Sequence, residues 1–214
     1  MGSTIERVEP KAKHLLIGFS NGLVLHTHMR MTGSWHVYRS GERWRRPAHL
    51  AGLVLECGDR VAVCFNAPVI ELLAPSEARR QAVLAGLGPD VLDPAFDPAE
   101  VVRRARLEPP ERAIGEVLLG QRVISGIGNI WRSESLFADG VNPWTPLADL
   151  DDEGLARLAT TAARLMRDSL TAQRDGWAYR RRGRPCKRCG TLITSGRLGE
   201  QARTVYWCPN CQAR

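Results

Sequence analysis

No run of apolar residues in this 214-residue chain approaches the roughly 20 that a helix needs to span a bilayer. Its start also lacks the apolar core and small-residue cleavage site of a secretory signal. These absences exclude a helical membrane protein and set the expectation of a soluble, cytoplasmic one. Internal repeats and low-complexity tracts are missing too, which excludes solenoids and fibrous arrays. Acids are almost missing from one region. Between Trp177 and Arg214 there is a single acid, Glu200, against nine lysines and arginines, so this tail carries +8 when the whole chain carries +7. The body before it is therefore near −1. A neutral body with so basic a tail points to an acidic partner, nucleic acid above all; a solvated face is the bland alternative.

Six cysteines are present, and four fall into two Cys-x-x-Cys pairs, Cys186/Cys189 and Cys208/Cys211, with 18 residues between the pairs. In a cytosolic protein such pairs indicate metal rather than disulfides. The spacing suits a β-hairpin that folds the pairs together and brings four thiolates to one tetrahedral centre. The expectation is a structural Zn2+ whose closed ligand set leaves no position for water and whose binding energy folds the small basic hairpin. A redox role for either pair is the alternative, and the match between the pairs argues against it. Cys57 and Cys64 read as small buried apolar residues.

Residues 13 to about 74 read as strands separated by turn chemistry such as Ser20-Asn21-Gly22 and Cys57-Gly58-Asp59, an antiparallel meander forming one part of a sandwich. After Pro75 the pattern predicts a helix with Ser76 as N-cap, ending at Gly88-Pro89. Three prolines between Gly88 and Pro98 mark a linker. From Glu111 the pattern is helical, AIGEVLLGQRVI, broken by Ser125-Gly126-Ile127-Gly128-Asn129, then resumed in IWRSESLFADG. A third helix follows, LDDEGLARLATTAARLMRDSL, with Asp151 as N-cap and acids in its first turn. The two-glycine turn can present amide N–H groups to a phosphate, although taken alone it reads more simply as a packing turn between helices.

GEVLLGQRVISGIGNIWRSESLF resembles the helix-two-turn-helix element of the formamidopyrimidine-DNA glycosylase/endonuclease VIII family, and ARTVYWCPNCQ resembles that family's zinc-finger ending. KAKHLLIGFSNGLVLHTHMRMTGSW is similar to its lysine-bearing strand and the loop that follows. The resemblance runs in order from about Ile5 to Gln212, and AYRRRGRPCKRCG with YWCPNCQ is closer to the endonuclease VIII branch. It implies an α+β protein: an N-terminal antiparallel β-sandwich, incomplete at its start (1–88), a linker (89–110), a helix-two-turn-helix domain (111–176) and a basic four-cysteine zinc finger (177–214). The implied function is base-excision repair by a bifunctional DNA glycosylase and abasic-site lyase, working as a monomer on double-stranded DNA with damaged or abasic sites, nucleoid-associated when bound.

The resemblance also assigns residues. Lys13 corresponds to the lysine that assists strand cleavage, Lys11 being the poorer match and a solvated strand edge the bland reading of both. Arg30, Met31 and Thr32 match the wedge that fills the gap left by a flipped base, with a core role as the alternative for Met31. Asn129 and Arg203 match phosphate-binding positions, Arg203 at the hairpin tip. His28 reads as structural and Arg180 to Arg182 as diffuse backbone contacts. The family's nucleophile is an N-terminal proline followed by glutamate, whereas this sequence begins Met-Gly-Ser. Pro10 lies within a peptide bond and cannot substitute. The connection from RDSLTAQRDG to WAYRRRG is also shorter than the mobile base-recognition loop common in the family. Three expectations follow: a misassigned start with residues encoded upstream, a truncated and catalytically silent damaged-DNA-binding module, or residual lyase action through Lys13. A zinc-ribbon protein acting on RNA is the rival outside this family.

Overall fold

The computed structural model describes residues 2–74, 85–172 and 175–213, so the helix expected from Ser76 falls largely outside the described residues. The chain divides into two compact units, Met1–Ala85 and Gly86–Arg214.

The first unit contains β1 (Ile5–Lys11), β2 (His14–Phe19), β3 (Val24–His28), β4 (Ser34–Arg39), β5 (Ala51–Cys57), β6 (Arg60–Phe65) and β7 (Val69–Leu73). They form two antiparallel sheets, ordered β1-β2-β3-β7 and β4-β6-β5. The expected simple meander is thus corrected: the chain leaves the first sheet after β3, builds the second, and returns with β7. A tight 29–33 turn makes the exit, closed by Gly33 N–H donating to Met29 O at 2.8 Å. Only glycine fits there, because a Cβ on Gly33 would lie 2.9 Å from both Met29 O and Ala67 Cα. Trp35 Nε1 on β4 donates to Thr27 Oγ1 on β3 at 3.1 Å, joining the two sheets across their facing sides.

Strand β1 was not foreseen. Its IERVEPK is mostly exposed and carries a proline, which an edge strand tolerates because one row of its N–H groups has no ladder partner. Cys64 is buried, and burial pushes its thiol up to about 11. Cys57 is exposed at the end of β5, contrary to the expectation of burial: its strand lies at the sheet edge.

The second unit holds α1 (Pro98–Ala105), α2 (Ile114–Val117), α3 (Asn129–Ala138), α4 (Asp152–Thr171), and a hairpin of β8 (Thr194–Leu198) with β9 (Arg203–Trp207). The stretch read as a linker carries α1, begun by Asp97 accepting from Ala99 N–H at 2.9 Å with Pro98 in the first turn. Val101, Val102 and Ala105 enter the main core. Residues before α1 are also held: Ser125 N–H donates to Pro89 O and Ser125 Oγ to Gly88 O, each at 2.9 Å. The segment is therefore part of this unit. Helix α2 lasts one turn where a longer helix was expected, because Gly120 and the residues after it continue as turns that bury Leu118, Val123 and Ile124 together. Helix α4 follows the expectation, with Asp151 accepting from Gly154 N–H at 2.8 Å and Leu155, Leu158, Ala162 and Met166 on one buried face. Among the described residues no helix is long and apolar enough to cross a membrane.

Candidate nucleic-acid interface and metal centre

Helix α3 organises the second unit. It starts directly after the two-glycine turn, where Gly126 has φ +93° and its N–H donates to Gln121 Oε1 at 3.1 Å. The residue preceding the helix is Gly128, so no side chain caps its first turn. Its leading amides are of the kind that bind anions. Asn129 occupies the first helical position and donates from Nδ2 to Thr204 O on β9 at 2.7 Å. Its Oδ1 accepts from Arg132 Nη2.

Arg132 is fully buried. Its Nη2 also donates to Thr204 O at 3.0 Å and Arg203 O at 3.3 Å, and its Nη1 to Gly115 O at 3.4 Å. Burial, followed by the charge of Arg203 and opposed by Glu116, pulls the guanidinium down to about 10. The structure thus brings Asn129 and Arg203 into one network, with Arg132 as the bridge. Arg203 opens β9 just after the hairpin turn, and it is exposed.

The other end of α3 is fastened as well. Arg188 donates to the carbonyls of Phe137 and Ala138 at 3.0 and 2.9 Å, placing a cation at the negative end of the helix, and stacks on the rings of Phe137 and Trp177. Between the ends, the buried Glu134 carboxylate accepts from the backbone N–H of Trp177, Ala178 and Tyr179 at 2.8, 3.0 and 2.7 Å. The basic tail is therefore strapped along one helix.

Cys186, Cys189, Cys208 and Cys211 converge, their sulfurs all within 4.8 Å of one another. Cys186 Sγ lies 3.9 Å from Cys211 Sγ, and Cys189 Sγ 3.5 Å from Cys208 Sγ. Four thiolates about 2.3 Å from a tetrahedral centre would be roughly 3.8 Å apart, so the donor set fits a closed metal site. Backbone N–H groups of Arg188 and Cys211 point at the sulfurs of Cys186 and Cys208, each at 3.4 Å. Gln212 supports the knuckle from behind: its Oε1 accepts from Cys208 N–H at 2.9 Å and its Nε2 donates to Val141 O at 2.7 Å.

In the first unit Lys13 sits with Ala12 in the turn between β1 and β2, where Ala12 has φ +52°. His14 pairs in register with His28, so this turn and the 29–33 turn leave the sheet at the same end. Met31, at the tip of the latter, is 90% exposed, which rules out its core reading. Arg30 has φ +44°, and Thr32 Oγ1 donates to Asn66 O at 3.1 Å.

Arg132, Glu134, Arg188 and Gln212 were not singled out as network residues from the sequence. Charges at Arg132 and Glu134 within a helical stretch bounded by Ile130-Trp131 and Leu136-Phe137 were the available signal, but most of their partners are backbone atoms up to 72 positions away.

Comparison with known proteins agrees with this geometry. The formamidopyrimidine-DNA glycosylase N-terminal domain matches residues 1–68, and the formamidopyrimidine-DNA glycosylase H2TH domain matches residues 87–180. A probable endonuclease 8 2 of Streptomyces coelicolor is 42% identical over 224 residues, covering 99% of this chain and 80% of that protein. The DNA-(apurinic or apyrimidinic site) lyase Nei2 of Mycolicibacterium smegmatis is 32% identical, covering 99% and 83%. Among solved structures, a Lactococcus lactis formamidopyrimidine DNA glycosylase bound to DNA containing an abasic site aligns with TM-score 0.84 at 20% identity, over 100% of this chain and 83% of that one. MutM in complex with DNA containing carbocyclic 8-oxo-G aligns with TM-score 0.85 at 19% identity, over 100% and 84%. The chain belongs to the formamidopyrimidine-DNA glycosylase/endonuclease VIII family.

Proposed function

We propose that this protein acts in base-excision repair, removing oxidised bases from duplex DNA and cleaving the strand at the resulting abasic site. The observation that carries the reading is the meeting of the uncapped start of α3 and Asn129 with the Arg203 end of a hairpin whose other end carries the four-cysteine knuckle. A stacked base cannot be attacked at its sugar, so such enzymes turn it out of the helix and fill the gap. Met31, exposed and apolar at the tip of a tight turn, has the shape for that gap, with Arg30 and Thr32 beside it.

In this reading Asn129 and the α3 amides hold phosphates flanking the lesion, and Arg203 supplies a charged contact. Once an amine has condensed with the opened sugar as a Schiff base, with loss of water, the adjacent C–H gives up its proton as the C–O bond to the phosphate breaks. Lys13 contacts that leaving phosphate and helps move the proton. Cys186, Cys189, Cys208 and Cys211 hold a Zn2+ that is architectural, since four thiolates leave it no open position. The zinc fixes the hairpin and supplies no reacting group.

Two predictions separate these roles. Arg203→Ala should weaken binding to duplex DNA of every sequence and make the slope of log K against log salt shallower by about 0.9, whereas Asn129→Ala should weaken it with little change of slope. Fluorescence anisotropy across a salt series reads both, and an unchanged affinity in either variant removes that residue from the interface. Borohydride trapping and strand cleavage on abasic-site duplex test the chemistry. Lys13→Ala should slow cleavage by ~100-fold while still binding abasic duplex, with a shallower salt slope. Binding to abasic DNA with no trapped adduct and no cleavage in the parent protein would leave a damage-binding module in place of an enzyme, and equal affinity for abasic and intact duplex would favour another nucleic acid altogether.

A further inference from the structure

The register pairs His14 with His28 across β2 and β3, and His26 with Glu71 across β3 and β7. Directly paired residues point to the same side of a sheet and side chains alternate along a strand, so all four occupy one face. Thr27 points the other way, to Trp35 of the second sheet. On the face itself Leu16, Val24 and Leu73 pack together, and His26 is only 4% exposed. His26 Nδ1 lies 2.9 Å from Glu71 Oε2, and His26 Nε2 lies 2.8 Å from His14 Nδ1. The His14 ring stacks on His28 at 4.6 Å and on His26 at 5.1 Å between centroids. Lys13 is the next residue in the chain.

An ionised carboxylate only accepts, so His26 donates to Glu71 from Nδ1. A single bridging proton then lies between His26 Nε2 and His14 Nδ1. If His14 donates it, His26 is neutral and lends its lone pair; if His26 donates it, His26 is the imidazolium, paired with the Glu71 carboxylate, and His14 Nδ1 is bare and His14 is neutral. Neither arrangement requires charge on His14.

We propose that Glu71, His26 and His14 form a chain of positioning residues that holds the turn bearing Lys13 and keeps the adjoining imidazole uncharged, so that Lys13, not an imidazolium, offers positive charge to the DNA phosphate. The inference rests on the reading of Lys13 given above. A second cation on the same turn would compete for that phosphate and weaken the hold of Lys13 on its own proton.

The surroundings act in the same direction. Burial first, then His28, His26 and Lys13, lower His14 from the usual value near 6.5 to about 4. His28 is lowered by burial, then by Arg30, Lys13 and His26. From β1, Lys11, the register partner of His14, and Glu9 share this face, and Glu71 stands at its far side on β7. His14 therefore stays neutral above about pH 4, and it would charge near pH 6.5 only if released from this setting.

The test uses the full chain with its metal, imidazole 15N spectra between pH 4 and 8, and salt titrations of binding to abasic duplex. In the parent protein His14 should titrate below pH 5. In His26→Ala it should titrate higher than in the parent, because one of the charges that lower it and part of its burial are gone, and at pH 5.5 this variant's salt slope should be steeper than the parent's, with no difference at pH 8. Should His26→Ala not fold, Glu71→Leu, at a half-exposed position, should abolish the bridged Nδ1–H signal, and Glu71→Gln, which keeps an acceptor, should restore it. Titration of His14 near 6.5 in the parent, or matching slopes of parent and His26→Ala at pH 5.5, overturns the inference. A Lys13→Ala protein with parental slope and parental cleavage overturns the reading of Lys13 instead, and with it the assigned role of the chain, while the imidazole spectra report separately whether the chain exists.

Discussion

Stripping the metal from the four cysteines is expected to unfold the 184–212 hairpin and lower affinity for abasic duplex by about 100-fold or more. The apolar cluster under the hairpin is small, made of Phe137, Ala178, Ile193 and the cysteines themselves, so hydrophobic burial alone holds it weakly. Metal binding at such sites is worth roughly 10–16 kcal/mol in isolated fingers, and that energy is folding energy. Without it, four sulfurs within 4.8 Å of one another lose their common partner. The side-chain ties from Arg132, Arg188 and Gln212 then have to order the loop by themselves against its conformational entropy. Chelation followed by near-ultraviolet circular dichroism and DNA titration reads the outcome. Undiminished binding by metal-free protein removes the hairpin from the list of major contacts.

The second large effect is expected at Arg132. Truncation to alanine leaves Asn129 Oδ1 and the carbonyls of Gly115, Arg203 and Thr204 without their donor and opens a cavity the size of a guanidinium group in a fully buried place. Removing one side of a buried charged network costs about 3–5 kcal/mol. Arg132→Met should cost less, because an apolar side chain of similar length fills the space and leaves no charge buried there. Both variants should bind DNA more weakly than parent, since each releases β9 from the start of α3. Denaturant unfolding and DNA titration measure the two quantities side by side; equal stability of the alanine and methionine variants would count against the cavity argument, and parental affinity in both against the bridge.

The parts of this molecule that could be read in advance are those whose cause lies within a few residues. The four-cysteine cluster is made of two short-range pairs, and bringing them together requires only that the chain fold back once. Helix α4 announces itself by Asp151, by acids in its first turn and by a regular apolar face. Turns at Gly126 and Gly33 follow from positions where a side chain meets strain or backbone.

Elsewhere the decision was taken at long range. Alternation shows that a strand has an inner and an outer face but not which sheet it joins, and so β7 pairing with β3 across the inserted β4, β5 and β6 was hidden. Residues 89–110 look like a linker because proline dominates their local signal, yet burial of Val101, Val102 and Ala105 outweighs it. Cys57 and Cys64 are chemically alike, and only their places at an edge and in the middle of a sheet make one exposed and the other buried.

Spacing and periodicity, being local, suffice for the four thiolates, the capped helix and the position of Lys13 ahead of an apolar strand. What Lys13, Asn129 and Arg203 stand beside depends on contacts across the fold: the Glu71, His26 and His14 chain, and the Arg132 bridge. Those contacts join hydrogen-bonding groups 12 to 75 positions apart, and no local pattern encodes a partner at that distance.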